Sequence, residues 1–226
     1  MFATVAMATS AFAQEFRVGA TAGMEFSKIS FLEDGVYEDN SDVMKSKAGI
    51  KIGVIGECSF NDYIALAPEL AFVQRGYKWE SGDSDEWTKL KININYLQIP
   101  INVKGIYPIS DDFKIFGFTG YYVGFALSGK RSWKHQYKGE KETDSEKLKF
   151  GSKGSNENAS SDEDYFGDDY KRLDFGLNFG VGAEFKGFFL KTQYNLGLKN
   201  LIPVPEIGER ETNRNFGISV GYMFSF

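Results

Sequence analysis

The chain has 226 residues, a length that fits one domain or two small ones. Its formal net charge of −5 argues against nucleic acid as a partner, and its one His and one Cys exclude a multi-His metal site and a disulfide framework. No apolar run reaches the roughly 18–20 residues of a membrane helix, which excludes helical membrane proteins but leaves membrane β-barrels open.

The N-terminal residues 1–13 carry no charge and read MFATVAMATSAFA. The closing AFA triplet has the small-x-small form of a secretion-signal cleavage site. We therefore expect cleavage between Ala13 and Gln14, which leaves residues 14–226 as the mature domain. The alternative is a buried N-terminal helix. An exported chain with one thiol, Cys58, forms no internal disulfide, and a small buried hydrophobe is the expected role of that residue.

Eight segments alternate between apolar and polar residues along the rest of the chain, and a period of two indicates β-strands. They cover about 16–27, 47–57, 64–75, 90–103, 113–128, 172–185, 188–198 and 215–226. The fourth segment changes phase near Tyr96, which predicts a β-bulge there. The fifth segment is rich in glycine and aromatic residues, and its facing is ambiguous.

The connections between these segments alternate in length. Those after the second, fourth and sixth segments are short, at about 59–62, 105–112 and 186–187. Those after the first, third, fifth and seventh are long and polar, at about 28–46, 77–89, 129–170 and 200–213. Short turns at one end and long loops at the other are typical of outer-membrane barrels. We predict an all-β, eight-stranded antiparallel up-and-down transmembrane barrel with both ends of the domain on the periplasmic side.

The orientation of the two faces distinguishes a membrane barrel from a soluble one. The apolar row from Leu173 to Phe185 would cover roughly 30 Å in a tilted strand, close to the thickness of a hydrocarbon core. The opposite face mixes glycine with charges of both signs, which fits a narrow lumen filled by side chains. The predicted lumen charges include Arg17, Glu69, Arg75, Asp174, Glu184 and Lys191. A soluble barrel with an aromatic core is the alternative.

Aromatic residues cluster at the ends of the predicted strands, where membrane barrels carry interfacial girdles. The predicted girdle residues are Phe16, Phe26, Phe72, Tyr77, Trp79, Phe185, Phe188, Tyr222, Phe224 and Phe226.

Four short stretches carry a family resemblance: PELAFVQRGY at 68–77, YLQIP at 96–100, DFG at 174–176 and YNLGL at 194–198. In these stretches the chain resembles the PorT-like outer-membrane β-barrel family of Bacteroidota. The terminal YMFSF is similar to the aromatic assembly signal read by the barrel-insertion machinery, with Tyr222, Phe224 and Phe226 as its aromatic residues. The resemblance implies a location in the bacterial outer membrane and insertion by that machinery. It does not imply one activity, because a fold does not fix a function.

Candidates for catalysis and metal binding are few. The one His, His135, has Ser128, Ser132 and Asp144 near it in sequence, but the sequence does not fix their geometry. We expect no catalytic site and no required cofactor. The acidic residues Asp162, Asp164 and Asp168 lack the spacing of a calcium loop, so at most they would bridge divalent cations loosely to lipopolysaccharide.

The loop at 129–170 combines a basic arm, 130–153, with an acidic arm, 154–169. We expect the two arms to pair as a projecting hairpin with its tip at 151–156, a contact surface for a protein partner, a glycan or lipopolysaccharide. The predicted function is therefore non-enzymatic, with a structural or interaction role. The alternatives are a membrane component of a secretion or transport assembly, a narrow channel, and a lipid-modifying enzyme.

Overall fold

The computed structural model describes residues 15–33, 36–37, 44–82, 86–137, 140–151, 169–203 and 210–225. Ten strands occur within these ranges: β1 (Glu15–Glu33), β2 (Val36–Tyr37), β3 (Met44–Asn61), β4 (Ile64–Gly82), β5 (Trp87–Pro108), β6 (Phe113–Tyr137), β7 (Glu140–Lys147), β8 (Leu173–Phe185), β9 (Phe188–Gly197) and β10 (Arg210–Ser225). No helix in the described part of the chain is long and apolar enough to span a bilayer.

Eight of the described strands close into a ring. Their order is β10-β9-β8-β6-β5-β4-β3-β1, and β10 pairs with β1 to complete it. All of these pairings are antiparallel. The two additional strands lie outside the ring, where β2 pairs with β1 and β7 pairs with β6. The predicted eight-stranded antiparallel barrel is confirmed.

Tight turns gather at one end of the barrel. β3 and β4 are joined at residues 62–63, where the Asn61 Oδ1 accepts hydrogen bonds from the backbone N–H groups of Tyr63 and Ile64, both at 2.8 Å. β8 and β9 are joined by Lys186 and Gly187, whose positive φ angles of 51° and 84° suit a two-residue hairpin. The start of β1 and the end of β10 lie at this same end, as predicted for the periplasmic side.

The side chains divide into an apolar outside and a polar inside. Ile218 is 41% exposed, whereas Asp174 and Asn178 on the inner face are almost fully buried. This is the arrangement of a membrane barrel and the reverse of a soluble one. The outward apolar rows cover residues 16–26, 48–60, 64–72, 97–107, 113–127, 173–185, 188–198 and 216–224, and these are the membrane-spanning segments.

Aromatic side chains form a girdle at the turn end of the barrel. The ring of Tyr222 contacts those of Phe188 and Phe224, with centroid distances of 4.6 and 4.8 Å. The prediction for Tyr77 and Trp79 was wrong. Tyr77 is buried and Trp79 is half-buried on the inward face, because β4 continues above the lipid-facing row and packs Tyr77 over the lumen.

The irregularity near Tyr96 lies on a different strand from the one predicted. β5 alternates without a break, and Ile94, Tyr96 and Gln98 are all buried. The register shift falls between the pairs Asn95–Ser128 and Tyr96–Ala126, so the extra residue is Leu127 of β6. The apparent change of phase arises because β5 turns apolar residues inward above the charged part of the lumen.

Three strands continue well past the lipid-facing rows on the side opposite the tight turns. There β4, β5 and β6 join β7 in a four-stranded sheet, called the outer sheet below, which ends near the pairs Gly82–Trp87 and Tyr137–Glu140. The predicted hairpin pairs the arms 130–153 and 154–169, but residues 152–168 lie outside the described ranges, so that pairing stays a prediction. The basic strand at 130–137 pairs with the acidic strand at 140–147 of the same arm, because the charges of that arm are already segregated along the sequence.

Candidate functional site: the filled lumen and the outer sheet

The lumen near the periplasmic mouth holds an ionic cluster around Arg17. Its guanidinium donates hydrogen bonds to the carboxylates of Glu57 and Glu184. The Lys104 Nζ lies 2.5 Å from Glu57, and the Lys114 Nζ lies 3.8 Å from Glu184. We call these five residues the inner cluster.

A middle cluster occupies the centre of the barrel. The Glu69 carboxylate forms ion pairs with two lysines, with the Lys51 Nζ at 2.9 Å and the Lys191 Nζ at 2.8 Å. The Lys51 ammonium also donates to the Gln193 Oε1 at 2.9 Å. The Lys191 ammonium lies 5.7 Å from the centre of the Phe118 ring, a favourable cation–π distance. Each buried charge here therefore has an opposite charge in contact with it.

An outer cluster surrounds Arg75, which is completely buried. Its Nε lies 3.2 Å from Glu25 and its Nη1 lies 3.5 Å from Asp174, while its Nη2 donates to the Gln98 side chain. The guanidinium also lies over the ring of Tyr122, 5.2 Å from its centre. The Asp174 carboxylate accepts further hydrogen bonds from the Tyr122 hydroxyl at 3.2 Å and from the Asn213 amide at 2.9 Å.

The structure places all six predicted lumen charges inside the barrel and divides them among these three clusters. It also brings together the stretches that carry the family resemblance, since each contributes a side chain to the polar lumen: Glu69 and Arg75, Gln98, Asp174 and Asn195. The resemblance therefore follows the residues that fill the barrel. Sequence reasoning missed Gln98, whose place on the inward phase of β5 was the available signal.

The lumen is closed toward the outer sheet by an apolar plug. Tyr77 and Tyr170 pack there with Leu148 and Leu201, and the two tyrosine hydroxyls lie 3.2 Å apart. Burial raises the pKa of the Tyr77 hydroxyl and raises that of Tyr170 well above its usual value. The plug separates the outer cluster from the medium.

Between the inner and middle clusters the described residues leave a cavity of about 20 Å³, lined by Lys104, Lys191 and the rings of Phe116 and Phe118. A space of this size holds about one water molecule. At the periplasmic mouth an open bowl of about 550 Å³ ends against Glu57 and Lys114. The described part of the lumen is thus a packed polar core with a shallow entrance.

The outer sheet has two chemically different faces. Its outward face continues the lipid-facing side of the barrel wall and carries mainly lysines, and we call it the lysine face. Its members on β4 to β7 are Lys78, Glu80, Lys89, Lys91, Lys130, Lys134, Lys141 and Lys147, and Lys45 at the start of the adjoining β3 extends it. Cross-strand register brings four pairs of these lysines directly opposite each other: 45 and 78, 78 and 91, 89 and 134, and 130 and 147.

The electrostatics of the lysine face agree with this arrangement. A hydrogen bond from Lys45, at 2.6 Å, lowers the pKa of Glu80. Burial, and after it repulsion from Lys91 and Lys78, lowers the pKa of the neighbouring Lys47 to about 8. Positive charge is therefore concentrated on this side of the sheet.

The inward face of the outer sheet carries aromatic and acidic residues with complementary pairing. The Arg131 guanidinium bonds to Glu146 on β7 at 2.9 Å and to Asp169 at 2.8 Å. It also lies 5.9 Å from the centre of the Trp133 ring. Through Asp169, which accepts from the backbone N–H of Lys149 at 2.7 Å, this contact fixes the segment that carries the plug.

The candidate catalytic residues are separated by the sheet. The His135 Nδ1 lies 2.9 Å from the Thr88 hydroxyl on the inward face. Ser128 bonds to Asn95 on the outward face, and Ser132 shares that face because it lies opposite Lys91. The inward Asp144 lies opposite Trp133 rather than His135. The serines and the histidine therefore point away from each other.

Several predicted sites lie outside the described residues. These are the cleavage site Ala13–Gln14, the acidic residues Asp162, Asp164 and Asp168, and the terminal Phe226. The other assembly-signal residues, Tyr222 and Phe224, belong to the periplasmic girdle. Within the described ranges, no three His, Cys, Asp or Glu side chains are grouped so that they could hold a metal ion.

Comparisons with known proteins agree with this architecture. The family model for the outer membrane protein beta-barrel domain matches residues 12–203. Among proteins of curated function, no sequence matches the chain.

Several solved barrels resemble the structure. The outer membrane protease OmpT of Escherichia coli is 10% identical with a TM-score of 0.50, covering 95% of this chain and 97% of its own. OprG of Pseudomonas aeruginosa is 12% identical with a TM-score of 0.46, covering 94% and 97%. Ail of Yersinia pestis is 14% identical with a TM-score of 0.38, covering 93% and 100%. At these identities the likeness is one of fold alone.

Proposed function

Because the chain belongs to the outer membrane protein beta-barrel domain family, and so resides in the bacterial outer membrane, we propose that it is a non-enzymatic interaction protein. In this proposal the barrel is a closed support, and the outer sheet is the part that meets other molecules at the cell surface. We also infer that the chain lies within the PorT-like part of the family. The support for this inference is the set of stretches whose side chains fill the lumen.

The observation that carries the proposal is the contrast between lumen and outer sheet. The inner, middle and outer clusters fill the barrel with paired charges, and the plug around Tyr77 and Tyr170 covers them. An eight-stranded barrel filled in this way offers no route for diffusion. The outer sheet, by contrast, is ordered by cross-strand pairs well beyond the lipid-facing rows, as a surface for binding would be.

The proposal excludes the lipid-modifying activity considered from the sequence. Hydrolysis by a Ser–His pair requires the serine hydroxyl within hydrogen-bond reach of the imidazole. The placement of His135 and of Ser128 and Ser132 on opposite faces of the outer sheet argues against that arrangement.

Planar bilayer recordings and lipid profiles test the proposal together. We expect the purified barrel to add no stepwise ion current, and we expect cells with and without the protein to have the same lipid A profile. A variant that shortens the hairpin of β6 and β7 by removing residues 134–143 should still fold, as judged by its shifted electrophoretic mobility before heating. Stepwise currents, or a change in lipid A that depends on His135, would overturn the proposal.

A further inference from the structure

The lysine face brings like charges opposite one another, and within the described residues Glu80 relieves their repulsion only in part. Lys78 lies opposite Lys45 on one neighbouring strand and opposite Lys91 on the other. Lys89 likewise lies opposite Lys134. Like charges directly opposite each other destabilise a sheet. On this face of the described chain, Glu80 contacts two lysines, Lys45 at 2.6 Å and Lys89 at 3.8 Å.

The opposite face of the same strands is paired in the usual way. There β6 and β7 bring Arg131 opposite Glu146, at 2.9 Å, and bring His135 opposite Glu142. Acids are thus available on β7. They occupy the positions that alternate with the lysines, so their side chains point to the inward face. The excess of positive charge belongs to the outward face and not to the sheet as a whole.

The lysine face lies above the lipid-facing rows and continues the outward face of the barrel wall. Lys91 shares the outward phase of β5 with Leu97, six residues further along the strand, and lies ~15 Å above it for a strand tilted by ~40°. Between these levels runs a polar belt, in which Asn95 bonds to Gln74 at 3.2 Å and to Ser128 at 3.0 Å. On the outward side, apolar side chains are therefore succeeded by amides and then by lysines with increasing distance from the tight turns.

We propose that the lysine face binds the phosphate groups of the lipopolysaccharide molecules that surround the barrel in the outer leaflet. This inference rests on the proposed function and names the partner of the outer sheet. Lysine ammonium groups attract phosphate as compact point charges, and anionic headgroups relieve the repulsion between facing lysines. The amides of the polar belt lie where the sugars attached to those phosphates begin. Bound lipid thereby fixes the outer sheet against the membrane surface.

The test uses the full barrel in nanodiscs that contain phospholipid and phosphorylated rough-type lipopolysaccharide. The face variant carries four changes, Lys89→Gln, Lys91→Gln, Lys130→Gln and Lys134→Gln. A matched control loses the same charge at lysines elsewhere on the barrel, through Lys149→Gln, Lys171→Gln, Lys186→Gln and Lys199→Gln. The measured quantity is the amount of lipopolysaccharide that stays with the barrel after detergent washing.

We expect the face variant to retain at least about tenfold less lipopolysaccharide than the unaltered barrel, and the control to stay within about twofold of it. Lipopolysaccharide stripped of its phosphates should bind the unaltered barrel as weakly as the face variant binds the intact lipid. Equal retention by the face variant, or no effect of phosphate removal, would overturn the inference. The inference would also be overturned if a soluble sulfated glycan bound fully while lipopolysaccharide was already bound, because the lysine face would then still be free.

The same preparations separate this inference from the function on which it rests. If the face variant retains lipopolysaccharide fully and still adds no ion current, the lysine face fails as the binding site while the closed interaction barrel stands. If the unaltered barrel conducts, the proposed function fails whatever the lipid result.

Discussion

The lumen and the lysine face hold charge in opposite ways. In the middle cluster Lys51 and Lys191 both contact Glu69, within 2.9 Å. On the lysine face, Lys78 instead meets lysines on both neighbouring strands. A charge removed from water needs its counter-charge from the chain itself, whereas a charge at the surface can take its counter-charge from another molecule. The difference indicates that the lumen charges maintain the fold and that the lysine face is available for binding.

The largest expected effect comes from breaking the middle cluster. Glu69→Gln keeps the shape of the side chain but leaves Lys51 and Lys191 buried without their carboxylate. We expect it to lower the free energy of unfolding by about 3–5 kcal/mol, the usual consequence of leaving a buried charge unpaired. Denaturant titration of the barrel in detergent micelles, followed by electrophoretic mobility, measures this change.

Two further variants sharpen that result. The exposed Glu142→Gln serves as the control and should change the midpoint little. Replacing the whole cluster, by Lys51→Met with Glu69→Leu and Lys191→Met, should recover most of the lost stability, because apolar replacement of a complete buried ion cluster is often neutral or favourable. A Glu69→Gln barrel as stable as the unaltered one would show that the lumen charges do not need each other.

A second prediction concerns space in the lumen rather than charge. A Cβ on Gly180 would lie 2.1 Å from the Thr192 carbonyl oxygen and 2.5 Å from the Phe118 ring, so Gly180→Ala requires both to shift. We expect it to destabilise the barrel by about 1–3 kcal/mol. On the lipid-facing side, Gly117→Ala meets only ordinary contact at 3.8 Å and should be neutral in the same titration. Equal effects of the two changes would mean that the lumen is not tightly packed.

The sequence predicts the barrel and its inner face well, because both follow from the strict alternation of side chains along a strand. It predicts the outer end poorly. The apolar residues Leu90, Ile92 and Ile94 produce the change of phase near Tyr96 that predicts a bulge in this segment, but they pack inward with Tyr77 into the plug. Alternation fixes which residues share a face, yet above the membrane it no longer fixes which face is apolar. The plug also uses Tyr170 and Leu201 from connections, whose meeting no local pattern indicates.

The hairpin of β6 and β7 differs from the one predicted for the 129–170 loop, for a related reason. Summing charge over 130–153 as one basic arm concealed two segments, basic to 137 and acidic from 140. Counting charges by alternate positions would have separated the lysine face from the face that carries Glu142 and Asp144. The candidate site could therefore be predicted in part from the sequence, but only once the partner of each strand was known.

A third prediction uses pH to probe the border between the two regions. Lys47 is buried beside the lysine face, and its pKa of about 8 lies below its ordinary value of 10.5. Between these pH values the unfolded chain binds a proton at this group that the folded barrel does not, so stability rises with pH across this window. At neutral pH the charged form opposes folding.

Lys47→Met removes that opposition. We expect it to stabilise the barrel by about 1–2 kcal/mol at pH 7, and we expect the advantage to disappear as the pH rises from 8 toward 10.5. Paired denaturant titrations across this range measure the difference between the two proteins. Exposed Lys186→Met is the control, since Lys186 lies at the other end of the barrel in an exposed pair with Asp112. A constant difference at every pH would mean that packing, and not charge, accounts for the effect.

The smallest expected effect concerns the lysine face. There we expect one substitution to raise the stability of the sheet and to lower its binding of lipopolysaccharide. Lys134→Glu converts the like-charge pair with Lys89 into an attractive one, and we expect it to stabilise the hairpin of β6 and β7 by about 0.2–1 kcal/mol. Slower proteolysis of the hairpin in low salt measures this gain, which high salt should screen. The inward change Thr88→Glu adds the same acid at the next position of β5 and serves as the control. If Lys134→Glu increased both hairpin stability and lipopolysaccharide retention, the facing lysines would be a structural accident and not a binding surface.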